Sequence, residues 1–462
     1  MFEASLVAQL VGEIRGRIAS RGLGAGMRLP SIRVQAGQAG VSKSTVVEAY
    51  DRLVAEGVIE SRRGSGFYVA GRTPPLNLAE AGPDLDRDVD PLWVSRQTLE
   101  TPADVLKPGC GWLPPSWLPE DSLRRALRGL ARAEAAVLGD YGSPLGLPAL
   151  REYLARRLVG QGVPAAPGQI LLTDSGTQAV DLLCRFLLEP GDTVLVDDPC
   201  YFNFRALLRA HRVRVVSVPY TPQGPDLAAF AQVLAAEKPR LYITNCAVHN
   251  PTGAALAPAS AHRVLKLAEQ HDLIIIEDDI FADFEAEPSP RLAAFDGLGR
   301  VVQIGSFSKT ISASLRLGYI AVKPGWIDGL IDLKIATNFA SGRLSAELLL
   351  AVLRDGGRRK HVEALRARLA AAMGQVAGRL QAIGVRPWMM PKAGMFLWCE
   401  LPAGVDAAQL ARQALAHDVV LAPGNVFSPA QTASGFLRFN VAQCADPRIF
   451  QTLDRILRNA QA

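Results

Sequence analysis

The stretch "GSFSKTISASLRLGY" (residues 305–319) brings several chemically useful side chains close together. Lys309 follows Ser306 and Ser308, and Arg316 lies seven positions after it. A lysine amine can form a covalent imine with an aldehyde, and hydroxyl groups together with an arginine can hold a phosphate. Alone, the lysine also fits a solvated loop, so its role depends on other segments.

Two further polar clusters follow apolar runs. Ser175, Gly176 and Thr177 come after "ILLT" and begin a predicted helix, whose first N–H groups favour a phosphate; an ordinary turn before a helix is the alternative. Asn250 follows "LYIT" in "NCAVHNPTG", where its amide can donate to a ligand oxygen, although a plain Asn-Pro turn gives the same pattern.

A third apolar run, "LIIIEDD", ends in Glu277, Asp278 and Asp279. A carboxylate at this position can cap a helix, or it can pair with a protonated ring nitrogen. The order of phosphate turn, amide, carboxylate, lysine and arginine supplies what pyridoxal 5′-phosphate requires. The lysine binds the aldehyde, a carboxylate keeps the ring nitrogen protonated, and hydroxyls with an arginine hold the phosphate.

The elements that must position these residues are apolar runs that alternate with long helices rich in Ala, Leu and Arg. Continuous hydrophobic strands separated by helices indicate a mostly parallel sheet buried on both faces, which is an α/β body. Ligands of such sheets bind at the carboxyl ends of the strands, where every polar cluster above lies. The predicted strands are "QILLT", "DTVLVDD", "RVVSVPY", "LYITN", "LIIIEDD" and "VVQIGSFSK".

From about residue 107 to the end, the sequence resembles the fold-type I aminotransferases, which depend on pyridoxal phosphate. The resemblance implies that Lys309 forms the Schiff base and Asp278 pairs with the ring nitrogen. Asn250 would donate to the phenolic oxygen, and Arg438 in "FLRFNVA" would bind the α-carboxylate of an amino acid. The other implied cofactor contacts are Tyr201 at the ring face, Ser175, Gly176, Thr177, Ser306, Ser308 and Arg316 at the phosphate, and Tyr141 from a second subunit.

One departure from the aminotransferase pattern follows Asp278. The family often has a tyrosine two or three residues after this aspartate, donating a second hydrogen bond to the phenolic oxygen, but here the residues are Ile280 and Phe281. Phenylalanine cannot donate, so we expect the Schiff base to be less acidic than in an efficient transaminase. Whether transamination turns over is left open by the sequence.

The N-terminal part of the chain differs in charge from the rest. Residues 1–72 hold ten Lys and Arg and six Asp and Glu, an excess of four positive charges. The remaining residues hold 40 basic and 39 acidic side chains and are nearly neutral. A small basic module on a neutral body is typical of nucleic-acid contact, although four charges alone are weak support.

Turn and cap residues predict a winged helix-turn-helix in this module. Residues 4–20 have helical periodicity, Ser31 can cap a second helix, and Gly40 with Ser42 gives a turn and a cap before a third helix that runs to about Gly57. The first turn of that third helix is the part that reaches base edges. "VIESRRGSGFYV" predicts a two-stranded wing with a glycine tip.

"RLPSIR…GVSKSTVVEAYDRLVAEGVIESRRGSGFYV" resembles the winged helix-turn-helix of the GntR regulators. The whole arrangement, a winged helix followed by an aminotransferase-like body, resembles the MocR group within them. A solvated basic face is the alternative for each single cation. By resemblance, the residues that contact double-stranded DNA are Arg33, Lys43, Ser44, Thr45, Arg62, Arg63 and Gly66.

The predicted organisation is a DNA-binding domain at 1–71, a proline-rich linker at 72–106, with a short docking helix near 91–98, and a cofactor and effector domain at 107–462. Six widely spaced cysteines without a CxxC pair argue against a zinc site and against a disulfide framework, and we expect no metal. Neither a membrane span nor a signal peptide is expected, which predicts a cytoplasmic protein without a membrane partner.

The sequence thus predicts a DNA-binding transcriptional regulator that carries pyridoxal phosphate on Lys309. It would sense the cofactor or its adduct with an amine or amino acid, and the resemblance implies a homodimer. The alternative is a working aminotransferase with an accessory DNA-binding domain. A third possibility, a repressor with an empty body, is disfavoured because Lys309, Asp278 and Asn250 are all present. Operator, effector and sign of regulation are not determined.

Overall fold

The computed structural model describes residues 5–19, 23, 26–62, 64–70, 91–102 and 104–461. They belong to two compact units, Met1–Ala81 and Gly82–Ala462. The predicted linker lies outside the described residues from 72 to 90, and its later part contains a helix, α4 (Pro91–Glu100), where a docking helix was expected. None of the helices in the described ranges has the combination of length and hydropathy that spanning a bilayer requires.

The small unit has the predicted helix-turn-helix and wing. Ser31 and Ser42 both accept a backbone N–H at the start of the helix that follows, and Gly40 has the left-handed conformation (φ 64°) that turns the chain between two helices. The third helix ends at Ala55, slightly earlier than expected. The elements are α1 (Leu6–Ala19), α2 (Ile32–Ala39), α3 (Lys43–Ala55), β1 (Ile59–Arg62) and β2 (Gly66–Val69).

A mixed sheet forms the centre of the large unit. Its strands are β3 (Ile170–Thr173), β4 (Thr193–Asp198), β5 (Arg214–Thr221), β6 (Gly224–Pro225), β7 (Leu241–Thr244), β8 (Ile274–Asp278), β9 (Val301–Ser306) and β10 (Gly318–Ala321). The order across the sheet is β3-β10-β9-β8-β7-β4-β5-β6. All six predicted strands are present. β5, β4, β7, β8 and β9 pair in parallel, whereas β10 is antiparallel to both its neighbours.

Helices cover both faces of this sheet, and its strands β3, β4, β7 and β9 are almost wholly buried and rich in Leu, Ile and Val. The helices of the large unit, with α4, are α5 (Glu120–Leu130), α6 (Ala135–Gly139), α7 (Pro148–Gly160), α8 (Gly176–Leu187), α9 (Phe202–Ala210), α10 (Leu227–Glu237), α11 (Pro258–Gln270), α12 (Leu292–Asp296), α13 (Ile327–Asn338), α14 (Arg343–Arg354), α15 (Arg358–Ala382), α16 (Ala407–Leu415) and α17 (Arg448–Gln461).

A second, antiparallel sheet lies in the C-terminal part of the large unit, and the sequence did not reveal it. Its strands are β11 (Arg386–Pro387), β12 (Phe396–Glu400), β13 (Ala422–Pro423) and β14 (Phe436–Asn440), in the order β11-β12-β14-β13. Residues of β12 and β14 share one apolar core with α15, α16 and α17. Arg438 stands in the middle of β14, opposite Trp398 and Ala422.

Candidate functional site

A cleft of about 1110 Å³, counting its open part, lies at the carboxyl ends of the large sheet. Strands β7, β8 and β9 are parallel to one another and end at the same edge of the sheet. Strand β3 ends there too, because β3 and β9 are both antiparallel to β10 and therefore run in the same direction. The cleft gathers all the predicted cofactor residues except Tyr141, together with Arg438.

Lys309 lies partly buried in this cleft, in the loop after β9. Its Nζ donates a hydrogen bond to the Gly111 carbonyl at 2.7 Å. Burial, and secondly the positive charge of Arg438, lower the pKa of the Lys309 amine to about 8. At a pKa of about 8, roughly a tenth of the amine is uncharged at pH 7, far more than for an ordinary lysine. The neutral amine is the form that attacks an aldehyde.

The three acids at the end of β8 have three different surroundings. Glu277 turns away from the cleft and accepts the backbone N–H groups of Leu292 and Ala293 at the start of α12. Asp279 forms a buried ion pair with Arg291. Only Asp278 of the three lines the cleft, so the structure separates a capping acid and a structural acid from the one that can meet a ligand.

The carboxyl group of Asp278 has few compensating contacts. Burial raises its pKa to about 6, although the Asn245 amide and the Ile280 N–H, which donates to Oδ1 at 3.1 Å, oppose that shift. The Asn245 side chain donates to the Asp278 backbone carbonyl at 3.1 Å. Desolvation destabilises the ionised form of this carboxyl group, and a cation beside it, such as a protonated ring nitrogen, would stabilise that form.

Asn250 is oriented by Arg438. The Nη1 of Arg438 donates to Asn250 Oδ1 at 2.9 Å, and an arginine can only donate, so this contact fixes which amide atom faces it. The Nδ2 of Asn250 remains as a donor on the other side of the amide. This arrangement suits the predicted hydrogen bond to a phenolic oxygen.

The guanidinium of Arg438 is buried between two aromatic rings, with Cζ 4.2 Å from the Phe396 ring centroid and 4.7 Å from that of Phe427. Its Nη2 donates to the Gly109 carbonyl, whereas Nε has no partner in the described structure. Burial lowers its pKa to about 10. Among the described residues, no ion pair joins it to a carboxylate, so it is suited to an anionic ligand group.

The predicted phosphate residues form the other end of the cleft. Ser175 caps α8 by accepting the Gln178 N–H at 2.9 Å, which places Gly176 and Thr177 in the first helical turn. The hydroxyls of Ser306 and Ser308 lie 2.9 Å apart in the loop after β9. Arg316 lines the same cleft.

Gly318 allows β10 to pack against this phosphate turn. A Cβ at this position would lie 2.7 Å from the Ser175 carbonyl carbon and 2.8 Å from the Gly176 nitrogen. Any side chain would therefore push the turn out of place.

The residues of the cleft fit pyridoxal phosphate. The amine of Lys309 with its lowered pKa matches the aldehyde, the carboxyl group of Asp278 matches the ring nitrogen, and the N-terminus of α8 beside two serines matches the phosphate.

The two predicted tyrosines lie in different places. Tyr201, just before α9, lines the cleft, and burial raises the pKa of its hydroxyl. Tyr141 is 81 % exposed, and its ring lies against that of Phe339, with centroids 5.2 Å apart, outside the cleft of its own chain. Its expected role from a second subunit stays a prediction.

Sequence reasoning missed several residues that line the cleft: Asn245, the segment 109–112, and the α4 residues Val94, Ser95, Thr98 and Leu99. Asn245 follows β7 directly, and this position at the end of a strand could have identified it as a residue of the cleft. Residues 109–112 and α4 come from before the sheet, and no local pattern links them to it. Ile280 and Phe281 line the cleft, and the Phe281 ring packs against Phe284 and Phe396.

The described residues among the predicted DNA contacts lie at or near the surface of the small unit. Arg33, Lys43 and Ser44 are exposed, and Thr45 is partly buried. The hydroxyls of Ser44 and Thr45 lie 2.7 and 2.8 Å from that of the cap residue Ser42.

In the wing, the Arg62 guanidinium pairs with Glu60 at 2.6 Å and lies over the Tyr68 ring at 4.4 Å. Gly66 has a φ of 104°, which glycine adopts without strain. Arg63 lies outside the described residues.

Comparisons with known proteins agree with this two-part organisation. The family "Aminotransferase class I and II" matches residues 118–456, and "Bacterial regulatory proteins, gntR family" matches residues 6–69. The chain is 30% identical to the HTH-type transcriptional regulator YjiR of Escherichia coli (strain K12), covering 90% of each chain. It is 26% identical to the HTH-type transcriptional regulator NorG of Staphylococcus aureus, covering 87% of this chain and 92% of that one.

Among solved structures, the chain is similar to the α-aminoadipate aminotransferase LysN of Thermus thermophilus, complexed with N-(5'-phosphopyridoxyl)-L-leucine. The TM-score is 0.73 at 26% identity, covering 80% of this chain and 95% of that one. The Pyrococcus horikoshii kynurenine aminotransferase gives a TM-score of 0.72 at 24% identity, covering 81% and 94%, and shows the fold. The predicted fold class, a GntR helix-turn-helix followed by a fold-type I aminotransferase-like body, is confirmed.

Proposed function

The chain belongs to the aminotransferase class I and II family and carries a gntR-family regulatory domain before it, and on this basis we propose that it is a pyridoxal-phosphate-dependent transcriptional regulator. The aminotransferase-like unit binds the cofactor and responds to an amine or amino acid, as a MocR-type regulator would. The response consists of a changed affinity of the small unit for an operator. A ligand can cause this only if it binds one state of the protein more tightly than the other.

A single observation carries the cofactor proposal: Lys309, with its pKa lowered to about 8 by desolvation, shares a cleft with the carboxyl group of Asp278. When bound, pyridoxal phosphate supplies an aldehyde for the imine bond and an electron-withdrawing ring. In the proposal, Lys309 presents a neutral amine, Asp278 faces the ring nitrogen, and Asn250 donates to the phenolic oxygen. The relative LysN, whose structure holds a phosphopyridoxyl-leucine, supports this cofactor.

The ligand end of the proposed site is Arg438, whose guanidinium binds the carboxylate of an amino acid. Tyr201 lies against the cofactor ring. The phosphate is held by the N-terminal turn of α8 and by the loop after β9: Ser175, Gly176, Thr177, Ser306, Ser308 and Arg316.

The proposal includes a homodimer. Four large apolar side chains are 45% to 81% exposed: Leu138, Tyr141, Phe339 and Leu344. An exposed apolar patch is unusual for a surface facing water and typical of a subunit interface. Tyr141 would then reach the cofactor phosphate of the other subunit. The partner of the small unit is double-stranded DNA, contacted through the first turn of α3 and the wing, and we place the protein in the cytoplasm.

A second candidate function is transamination, favoured by the presence of Lys309, Asp278, Asn250 and Arg438 in one cleft. Phe281, which cannot donate a hydrogen bond, disfavours rapid turnover. One experiment distinguishes a regulator from a transaminase. The cofactor-loaded protein is incubated with a panel of amino acids, and the conversion of the cofactor to its amine form is followed. A regulator binds the amino acid and changes its DNA affinity without accumulating the amine form.

The test of the proposed function uses the full chain and a DNA duplex that the protein itself selects from a random-sequence pool. Wild type should show the absorbance band of a cofactor imine and change its DNA affinity when the cofactor is added. Lys309→Ala should lose both the band and the response yet keep DNA binding. Lys360→Ala, at an exposed lysine outside the cleft, is the matched control. A Lys309→Ala protein that responds like wild type would contradict the proposal.

A further inference from the structure

The C-terminal part of α13 holds the end of β3, which leads directly into the proposed phosphate turn. The Nζ of Lys334 donates a hydrogen bond to the Leu172 carbonyl at 2.8 Å. One helical turn later, the Nδ2 of Asn338 donates to Asp174 Oδ2 at 2.5 Å. Residues four apart share one face of a helix, so both contacts come from the same side of α13. The next residue of the chain is Ser175, the cap at which the phosphate turn begins.

The same lysine also holds the loop that carries Tyr141. The Nζ of Lys334 donates to the Pro144 carbonyl at 2.6 Å, three residues after Tyr141. This loop lies against β3, because the Leu172 N–H donates to the Leu145 carbonyl at 3.0 Å. In the proposed homodimer, Tyr141 serves the phosphate of the other subunit. A single amine therefore contacts two segments that lead to cofactor phosphates.

Lys334 is a buried cation whose hydrogen-bond partners are neutral carbonyl oxygens. Its side chain is 1% exposed, and within the part of the chain that the structure describes no carboxylate forms an ion pair with it. Burial lowers the pKa of its amine to about 8, although the charge of Asp174 opposes this shift. Burying a charge without an ion-pair partner is costly, and an apolar side chain would fill the same space without that cost. The two hydrogen bonds therefore indicate a role beyond packing.

We propose that Lys334 and Asn338 are positioning residues for the cofactor phosphate. They hold the end of β3, and with it the turn at residues 175–177, where the N–H groups of that turn meet the phosphate. Neither residue lines the cleft, so each acts through the backbone that it holds and not by touching the cofactor. The inference rests on the proposed function, because it takes the phosphate at this turn as given.

The experiment titrates the full-length, cofactor-free protein with pyridoxal 5′-phosphate and with pyridoxal, which lacks the phosphate, and follows the absorbance of the imine. Wild type should bind the phosphorylated form at least about a hundredfold more tightly, because only this form can use the turn. Lys334→Met fills similar space without the amine and should lower this ratio of affinities about tenfold, through weaker binding of the phosphorylated form. Asn338→Ala should lower the ratio about threefold, since it removes one of the contacts at the end of β3.

Leu234→Ala is the matched control, since Leu234 is a fully buried residue of α10 that does not line the cleft. It should lower stability and leave the ratio of affinities unchanged, as would Lys334→Met if the lysine only supported the fold. A Lys334→Met protein with the ratio of Leu234→Ala would overturn the inference and leave the proposed function standing. If Lys334→Met does not fold, the same comparison is made with Asn338→Ala, whose side chain is partly exposed. A wild-type protein that does not prefer the phosphorylated form would instead refute the proposed phosphate site, and this inference with it.

Discussion

The small unit and the cleft of the large unit use charged residues in opposite ways. The described residues among the predicted DNA contacts lie at or near the surface, on α2, in the first turn of α3 and in the wing. The cleft instead collects residues from positions 94 to 438, of which Arg438 is buried and Lys309 and Asp278 are partly buried. At the surface water moderates each charge, whereas burial in the cleft changes the proton affinity of Lys309, Asp278 and Arg438. Surface charges suit attraction to a polyanion, and buried charges suit chemistry.

The largest expected effect comes from breaking a buried ion cluster beside Lys309. Asp283 accepts hydrogen bonds from Arg157 at 2.7 Å, from Arg358 at 3.0 Å and from the Thr310 hydroxyl at 3.0 Å. Asp283→Ala leaves two arginines without their buried partner, so we expect the free energy of unfolding to fall by about 3–5 kcal/mol in denaturant titrations.

The control for this variant is Glu363→Ala, which removes the partner of Arg359 in a pair whose side chains are 57% and 89% exposed. It should change the free energy of unfolding by less than about 1 kcal/mol. An equal loss of unfolding free energy in the two variants would contradict the expected difference between buried and exposed ion pairs.

The same cluster should resist acid. Burial by itself would raise the pKa of Asp283, but Arg157 and Arg358 outweigh it and lower the pKa to about 2. Because the folded pKa is below the ordinary value of 3.8, the stabilisation is fully present above that value and is lost only as the pH falls through about 2.

A second test concerns the cleft and measures how the uptake of the cofactor by Lys309 depends on pH. With its pKa lowered from 10.5 to about 8, the amine becomes neutral and reactive as the pH rises through about 8. The rate of imine formation, measured by rapid mixing of cofactor-free protein with pyridoxal phosphate, should therefore rise to a plateau with a midpoint near pH 8.

Arg438→Gln checks the cause of this shift. Its loss of positive charge should move the midpoint to higher pH, because Arg438 contributes to lowering the pKa of Lys309. A wild-type midpoint near 10.5 would mean that burial does not tune the lysine.

The smallest expected effect lies in the small unit. Ser42→Ala removes the side chain that accepts the Thr45 N–H at 3.1 Å, so this unit should lose about 1 kcal/mol of unfolding free energy. DNA affinity should weaken, since the first turn of α3 depends on this cap, while the cofactor absorbance stays unchanged. Ser61→Ala, at an exposed position of β1, is the control. A change in the cofactor spectrum of Ser42→Ala would contradict the expectation that this cap affects only the small unit.

Sequence patterns predicted the parts of the fold that have local signatures. The caps Ser31 and Ser42, the turn at Gly40 and six apolar strands all lie where expected. β10, the four residues "GYIA", was not predicted, and it is the strand that runs antiparallel to both its neighbours in a mostly parallel sheet. The second sheet was missed because two of its strands have only two residues each, too few for a sequence pattern.

The sequence by itself determined which chemical groups are available and in what order, because caps, turns and hydrophobic runs act over a few neighbouring residues. It offered Glu277, Asp278 and Asp279 together, and only the packing of α12 and of Arg291 separated the acid that faces the cleft. The lowered pKa of Lys309, the orientation of Asn250 by Arg438 and the wall formed by α4 were likewise decided by the tertiary structure. Desolvation and contacts between distant segments produce them, and neither exists until the chain has folded.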